Sequence, residues 1–157
     1  MTVIVQAHRS SGSIFSRGIA WFSRSPYSHI SVWFKDEGVV LEAKEGKGVR
    51  EVLDTVYQKA RNEGKIDLFC YVAPIAREEE LAMLAGMRSQ LGKQYDWAGV
   101  LKFVTKFRHA HDDKWFCSEI AAYYSAEIGR PLFYLAEAWE IKPSDIPRSL
   151  ALTRWVA

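Results

Sequence analysis

The order of its hydrophobic periodicities constrains this chain more than any other feature. Up to Val72 the apolar residues mostly alternate along short runs, and from Arg77 onward they mostly recur at helical spacing. Thr2–Gln6 is an apolar run that reads as a first strand. Tyr27–Phe34 and Gly38–Ala43 are rich in β-branched and aromatic residues, and Lys35-Asp36-Glu37-Gly38 joins them as a hairpin. Gly46-Lys47-Gly48 turns the chain into Val49–Leu53, a third strand of a meander. Ile66–Val72 is a further strand, ended by Pro74. Ser11–Phe22 is the exception, since its apolar residues fit a short helix that Ser25-Pro26 ends.

In the second half, Arg77–Leu91 opens with Glu78-Glu79-Glu80, an acidic first turn that suits a helix N-terminus, and Gly92 closes it. Asp96–Phe107 reads as a helix with Asp96 as N-cap. Cys117–Ile128 is a third, stopping at Gly129-Arg130-Pro131. Glu140–Ile146 is a polar connector, and Leu150–Val156 returns as a strand. Strands first and helices later predict an α+β fold with an antiparallel sheet packed against helices. At 157 residues this is one domain, 1–157, large enough for a core.

Several function classes drop out at once. A net charge of +2, with scattered Lys and Arg, gives no basic run that would track a phosphate backbone, so no nucleic-acid partner is expected. No apolar stretch reaches the length of a transmembrane segment. The N-terminus lacks the basic start and long apolar run of a secretory signal, so the chain is expected to be cytoplasmic where it is synthesised. Signal-independent export, or delivery as an effector or phage factor, would look the same. Two cysteines make no disulfide framework. Cys70 alternates with Ile66, Leu68 and Val72 and reads as an inert core thiol, with a Cys70–Cys117 bridge left open.

Cys117 has a different address. It lies where Lys114-Trp115-Phe116 gives way to a helical pattern, and a thiol in a helix's first turn faces unpaired N–H groups and the positive end of the dipole. That setting favours thiolate and nucleophilicity. A nucleophilic cysteine needs a base and a group to orient the base. Of His8, His29, His109 and His111, His29 is best placed, near the start of a strand. Ile30, Val32 and Phe34 point toward the core, and His29, Ser31 and Trp33 toward a less apolar face that suits a cleft. If Lys35–Gly38 is a four-residue loop, Phe34 faces Val39 and Glu42 lies diagonally beside His29 on that face. Glu42 would then fix the imidazole tautomer, whereas a one-residue bulge would move it away and leave Glu45 or Glu37 as substitutes.

These residues resemble a known family. Ser25-Pro26-Tyr27-Ser28-His29-Ile30-Ser31-Val32-Trp33-Phe34, Leu41-Glu42-Ala43 with Gly48-Val49, Gly92-Lys93-Gln94-Tyr95-Asp96, Trp115-Phe116-Cys117-Ser118-Glu119 and Lys142-Pro143-Ser144-Asp145-Ile146 are similar, in order, to the circularly permuted NlpC/P60 group of papain-like proteins, and in particular to its YiiX-like branch. Lecithin retinol acyltransferase-like proteins are more distant relatives. The resemblance implies a permuted papain-like core, since in ordinary NlpC/P60 domains the cysteine helix precedes the histidine strand. It implies Cys117 as nucleophile, His29 as base, Glu42 as orienting acid, and a structural or substrate-lining Tyr95. Related proteins often carry an export signal that this N-terminus lacks, which counts against a periplasmic cell-wall role.

The expected activity is a cysteine hydrolase that cleaves an amide or ester through a Cys117 thioester, with a cell-wall peptide or a lipid acyl group as substrate and no cofactor. An acyltransferase using the same thioester, and a catalytically silent papain-like binding domain, are the alternatives. His109-Ala110-His111-Asp112-Asp113 reads as a solvated loop or as a metal-binding run such as zinc takes.

Overall fold

The computed structural model describes residues 2–10, 21, 24–97 and 114–156. Its centre is a six-stranded sheet built from β1 (Val3–Arg9), β2 (Tyr27–Phe34), β3 (Val39–Lys44), β4 (Gly48–Leu53), β5 (Ile66–Tyr71) and a late β8 (Leu152–Arg154). The spatial order is β4-β3-β2-β1-β5-β8, and every pairing is antiparallel. The meander read from the sequence is therefore observed. The hairpin register is the one a four-residue loop predicts, with Phe34 opposite Val39 and Val32 opposite Leu41. Lys35–Glu37 forms a 3-10 turn and Gly38 closes it at φ 67°, a left-handed conformation that glycine adopts without steric penalty.

Alternation along the strands sends side chains to two unequal cores. Val3, Val5, Ala7, Ile30, Val32, Phe34, Leu41 and Ala43 face the larger one. Two helices complete it: α2 (Arg77–Arg88), through Met83, Leu84 and Met87, and α3 (Cys117–Glu127), through Ile120, Ala121 and Tyr124. The opposite face carries a smaller core of Ile4, Trp33, Val40 and Ile66, covered by Tyr57 of α1 (Thr55–Asn62). Sequence patterning does not predict α1, because only Tyr57 is buried from it. Trp33 is buried in this second core, 7% exposed, so the face expected to line a cleft is partly filled.

The packing of β5 also corrects an expectation. Phe69 and Tyr71, not Cys70, point into the main core; Val72 is 62% exposed and Cys70 half-buried. Cys70 and Cys117 are both free, so they form no bridge. The helices expected over Ser11–Phe22 and Asp96–Phe107 lie outside the described residues apart from Trp21, Asp96 and Trp97. Among the described residues no helix is long and apolar enough to cross a membrane.

Two close approaches fix where α3 begins. Tyr95 and Trp115 pair in a two-stranded parallel ribbon, β6 (Gln94–Tyr95) with β7 (Lys114–Trp115). Gly48, at φ 68°, lies so near the Lys93 carbonyl that a Cβ would stand 2.2 Å from it, and Val49 N–H donates to that carbonyl at 2.8 Å. Glycine there lets β6 dock on the sheet. Gly86 of α2 likewise leaves room for the Tyr124 ring of α3. Ser118 Oγ donates to the Ile141 carbonyl at 2.6 Å, and Tyr71 and Ser125 hydroxyls meet at 2.5 Å, which locks α3 onto the C-terminal segment and the sheet.

Candidate active site

β2 and β3 pair through Val32–Phe34 and Val39–Leu41 only, and His29 and Glu42 lie beyond that ladder. Side chains bridge the strands there. His29 Nε2 donates to Glu42 Oε2 at 2.5 Å, and Cys117, at the start of α3, interacts with the same ring. With Nε2 committed to the carboxylate, Nδ1 is the ring nitrogen left for the sulfur. Cys117, His29 and Glu42 are thus brought into one line. Tyr95, held beside Trp115 by the β6–β7 ribbon, also interacts with Cys117. The two substitutes considered for Glu42 are elsewhere: Glu45 is exposed, and Glu37 pairs with Arg77.

Glu42 is fully buried, and an unpaired carboxylate there would cost several kcal/mol of desolvation. Four donor contacts offset that cost. Besides His29, Arg50 Nε and one terminal nitrogen donate to Oε1 at 2.8 and 2.6 Å, and the Tyr57 hydroxyl donates to the same oxygen at 2.6 Å. Burial pushes the Glu42 pKa up, but the His29 hydrogen bond and charge, with Lys44 and Tyr57, outweigh it and hold the carboxyl well below the usual range. Burial likewise pulls His29 down, and its interactions with Cys117 and Glu42 outweigh it, leaving its pKa raised to about 9. A carboxylate fixed on one side and a sulfur on the other stabilise the imidazolium form.

His8 is a further polar neighbour of His29. It sits directly opposite His29 in the β1–β2 ladder, its ring edge-to-face with His29 at 4.8 Å and with Tyr57 at 4.9 Å between centroids. Its Nε2 lies 2.7 Å from Ser31 Oγ. Burial, then the charge of His29, lowers its pKa well below the ordinary histidine value. Sequence reasoning left His8, Arg50 and Tyr57 unassigned. Arg50 had a readable signal, since the meander places it directly opposite Glu42 as a cross-strand ion pair. Tyr57 had none, because its helix was not visible in the pattern.

The architecture has a solved counterpart. A crystal structure of YiiX, a metalloprotein of Escherichia coli O157:H7 in the DUF1105 group, superposes with a TM-score of 0.75 over 99% of this chain and 95% of that one, at 16% identity. The fold is YiiX-like. No protein-family profile and no curated protein matches the sequence.

The donors of this site are also of metal-ligating types. His8, His29 and Glu42 each offer a ligand atom, all within 4.8 Å of one another. Two imidazoles and a carboxylate are zinc ligands by type. In geometry they fit an ion only once the His29–Glu42 hydrogen bond opens. His109 and His111 lie outside the described residues.

Proposed function

We propose that this protein is a papain-like cysteine hydrolase of the permuted NlpC/P60 type, cleaving an amide or ester of a cell-wall peptide or a lipid acyl group. The observation that carries the reading is that one imidazole, His29, joins the thiol at a helix start to a fully buried carboxylate. With the thiol proton taken by His29, Cys117 sulfur attacks the carbonyl carbon, and the C–N or C–O bond breaks as that proton passes to the leaving group. Water then attacks the thioester and gives a proton to His29, which passes it to the departing sulfur, freeing the acid and the thiol. N–H groups in the first turn of α3 have no carbonyl four residues earlier in the helix and suit the oxyanion. Glu42 orients His29, and Arg50 and Tyr57 hold Glu42. Tyr95 lies against the sulfur and borders the path of attack. Should a metal bind, His8, His29 and Glu42 would hold it, at the expense of the His29–Glu42 hydrogen bond.

A second reading, a catalytically silent binding domain, draws on the 2% exposure of Cys117. One experiment separates the two. Wild type is incubated with cell-wall fragments and with phospholipid vesicles, then analysed by mass spectrometry at Cys117. A trapped acyl group that is absent from Cys117→Ala supports the hydrolase and names the substrate class by its mass. No adduct, together with no labelling of Cys117 by iodoacetamide near neutral pH, leaves the binding domain.

A further inference from the structure

We propose that His8, His29 and Glu42 form a weak, exchangeable zinc site whose occupancy disables His29 as a base; the regulatory half of this rests on the hydrolase reading, and the site itself does not. The three residues come from adjacent strands, His8 and His29 directly opposed in the β1–β2 ladder and Glu42 on β3. Their faces agree, as the rings of His8 and His29 meet edge-to-face and Glu42 lies on His29. The site is also reachable, with His8 half-buried and the His29 side chain 17% exposed.

Distances decide what kind of site it is. Zinc–nitrogen and zinc–oxygen bonds near 2.0–2.2 Å place the donors of a tetrahedral ion about 3.4 Å apart. Here the closest pair is at 2.5 Å and the donors spread to 4.8 Å. An entering ion must part His29 from Glu42 and draw His8 inward, so triad and metal site are alternative states of the same residues. Charge points the same way. Arg50 already neutralises Glu42 through Oε1 and leaves Oε2 as a single carboxylate ligand, and Lys44 Nζ stands 3.1 Å from the Tyr57 hydroxyl beside it. A divalent ion enters without net negative charge to hold it, which favours exchange over permanent residence.

The consequence for chemistry follows from the imidazole's two nitrogens. With zinc on Nε2, the neutral ring keeps its one proton on Nδ1. It then has no lone pair toward Cys117 and cannot accept a proton from water attacking a thioester.

The test uses untagged protein. Cys117→Ala is titrated calorimetrically with zinc chloride and with magnesium chloride; removing the nucleophile makes the binding result independent of whether the protein is an enzyme. One equivalent of zinc, no magnesium, and at least tenfold weaker zinc binding when His8→Ala is added support the site. Equal zinc binding with and without His8, or magnesium bound as well as zinc, overturns it. Cobalt(II) titration of wild type decides even if His8→Ala does not fold. Ligand-field bands without a thiolate-to-cobalt charge-transfer band fit the three ligands, and a thiolate band puts Cys117 in the coordination sphere and overturns the assignment. For the regulatory half, zinc is expected to suppress hydrolysis of a p-nitrophenyl ester by wild type at least tenfold. An unchanged rate overturns that half, and no hydrolysis with or without zinc counts against the hydrolase reading alone.

Discussion

The two faces of the central sheet share the same strands and differ in almost everything else. Toward α3, Val3, Val5 and Ala7 of β1 and Ile30, Val32 and Phe34 of β2 make a continuous apolar set. Toward α1 the alternate positions mix Ile4 and Trp33 with Gln6, His8, His29 and Ser31. Buried polar groups cost free energy unless paired. The second face meets that cost with the Glu42 network but not completely, since Gln6 Nε2, Trp33 Nε1 and an Arg61 terminal nitrogen are buried there without partners. Among the described residues the apolar side has one such atom, Glu80 Oε1 of α2, against these three. The apolar face fixes the strands and docks the Cys117 helix, and the polar face carries the His29–Glu42 pair.

The comparison breaks or holds first at Glu42. Glu42→Ala leaves Arg50 and His29 without their buried counter-charge, and a loss of about 3–5 kcal/mol is expected in denaturant unfolding. In the molecules that remain folded, Cys117 alkylation near neutral pH is expected to fall as well. Phe34→Ala, on the apolar face and five residues from His29, is expected to cost a similar 3–5 kcal/mol through its cavity. Its Cys117 alkylation rate per folded molecule should stay at the wild-type value. If Phe34→Ala slows the thiol as Glu42→Ala does, the faces do not divide stability from reactivity.

The sheet was legible where alternation was strict. Tyr27–Phe34 has the bounds of β2, and the four-residue loop gave the register that sets Glu42 beside His29. Periodicity failed where few residues are buried. Tyr57 alone anchors α1, and β6 and β7 have two residues each, too few for any period. It misled at β5, where Ile66 and Leu68 serve the smaller core while Phe69 and Tyr71 take the larger, so a strand buried on both faces has no single inward set. Cys117, His29 and Glu42 were singled out from the residue pattern and Tyr95 from the family resemblance, and His29 and Glu42 are hydrogen-bonded. The residues that hold Glu42 and flank His29 were not, because their roles depend on which helix covers which face.

The next effect is graded by pH. His29 rises from an ordinary 6.5 to about 9 on folding, against burial, through Cys117 and Glu42. A group with a raised folded pKa adds stability that is full below its unfolded value and is lost as pH rises through the folded one. The melting-temperature advantage of wild type over His29→Gln should therefore shrink between pH 6.5 and 9. Glu42 has the opposite sign, with stability present above its ordinary 4.5 and lost as pH falls through its depressed folded value. A flat difference between wild type and His29→Gln across pH 6.5–9 would mean that the imidazolium is not held by the network.

The smallest effect expected is at Tyr57. Its hydroxyl donates to Glu42 Oε1 at 2.6 Å and accepts from Arg50 at 3.3 Å and Lys44 at 3.1 Å, while its ring fills the second core and packs against His8. Tyr57→Phe keeps the ring and removes only the hydroxyl. Hydrogen bonds to charged groups contribute about 1.5–3 kcal/mol, and because Arg50 still donates twice to the same oxygen, the loss should sit at the low end, about 1.5 kcal/mol. Glu42 would then be less firmly held, so the His29-dependent part of Cys117 alkylation should drop by less than in Glu42→Ala. A Tyr57→Phe protein as unreactive as Glu42→Ala would make the tyrosine, rather than the arginine, the group that orients the carboxylate. A protein with wild-type stability and reactivity would show that Arg50 alone suffices, and that α1 covers this face for its apolar contacts only.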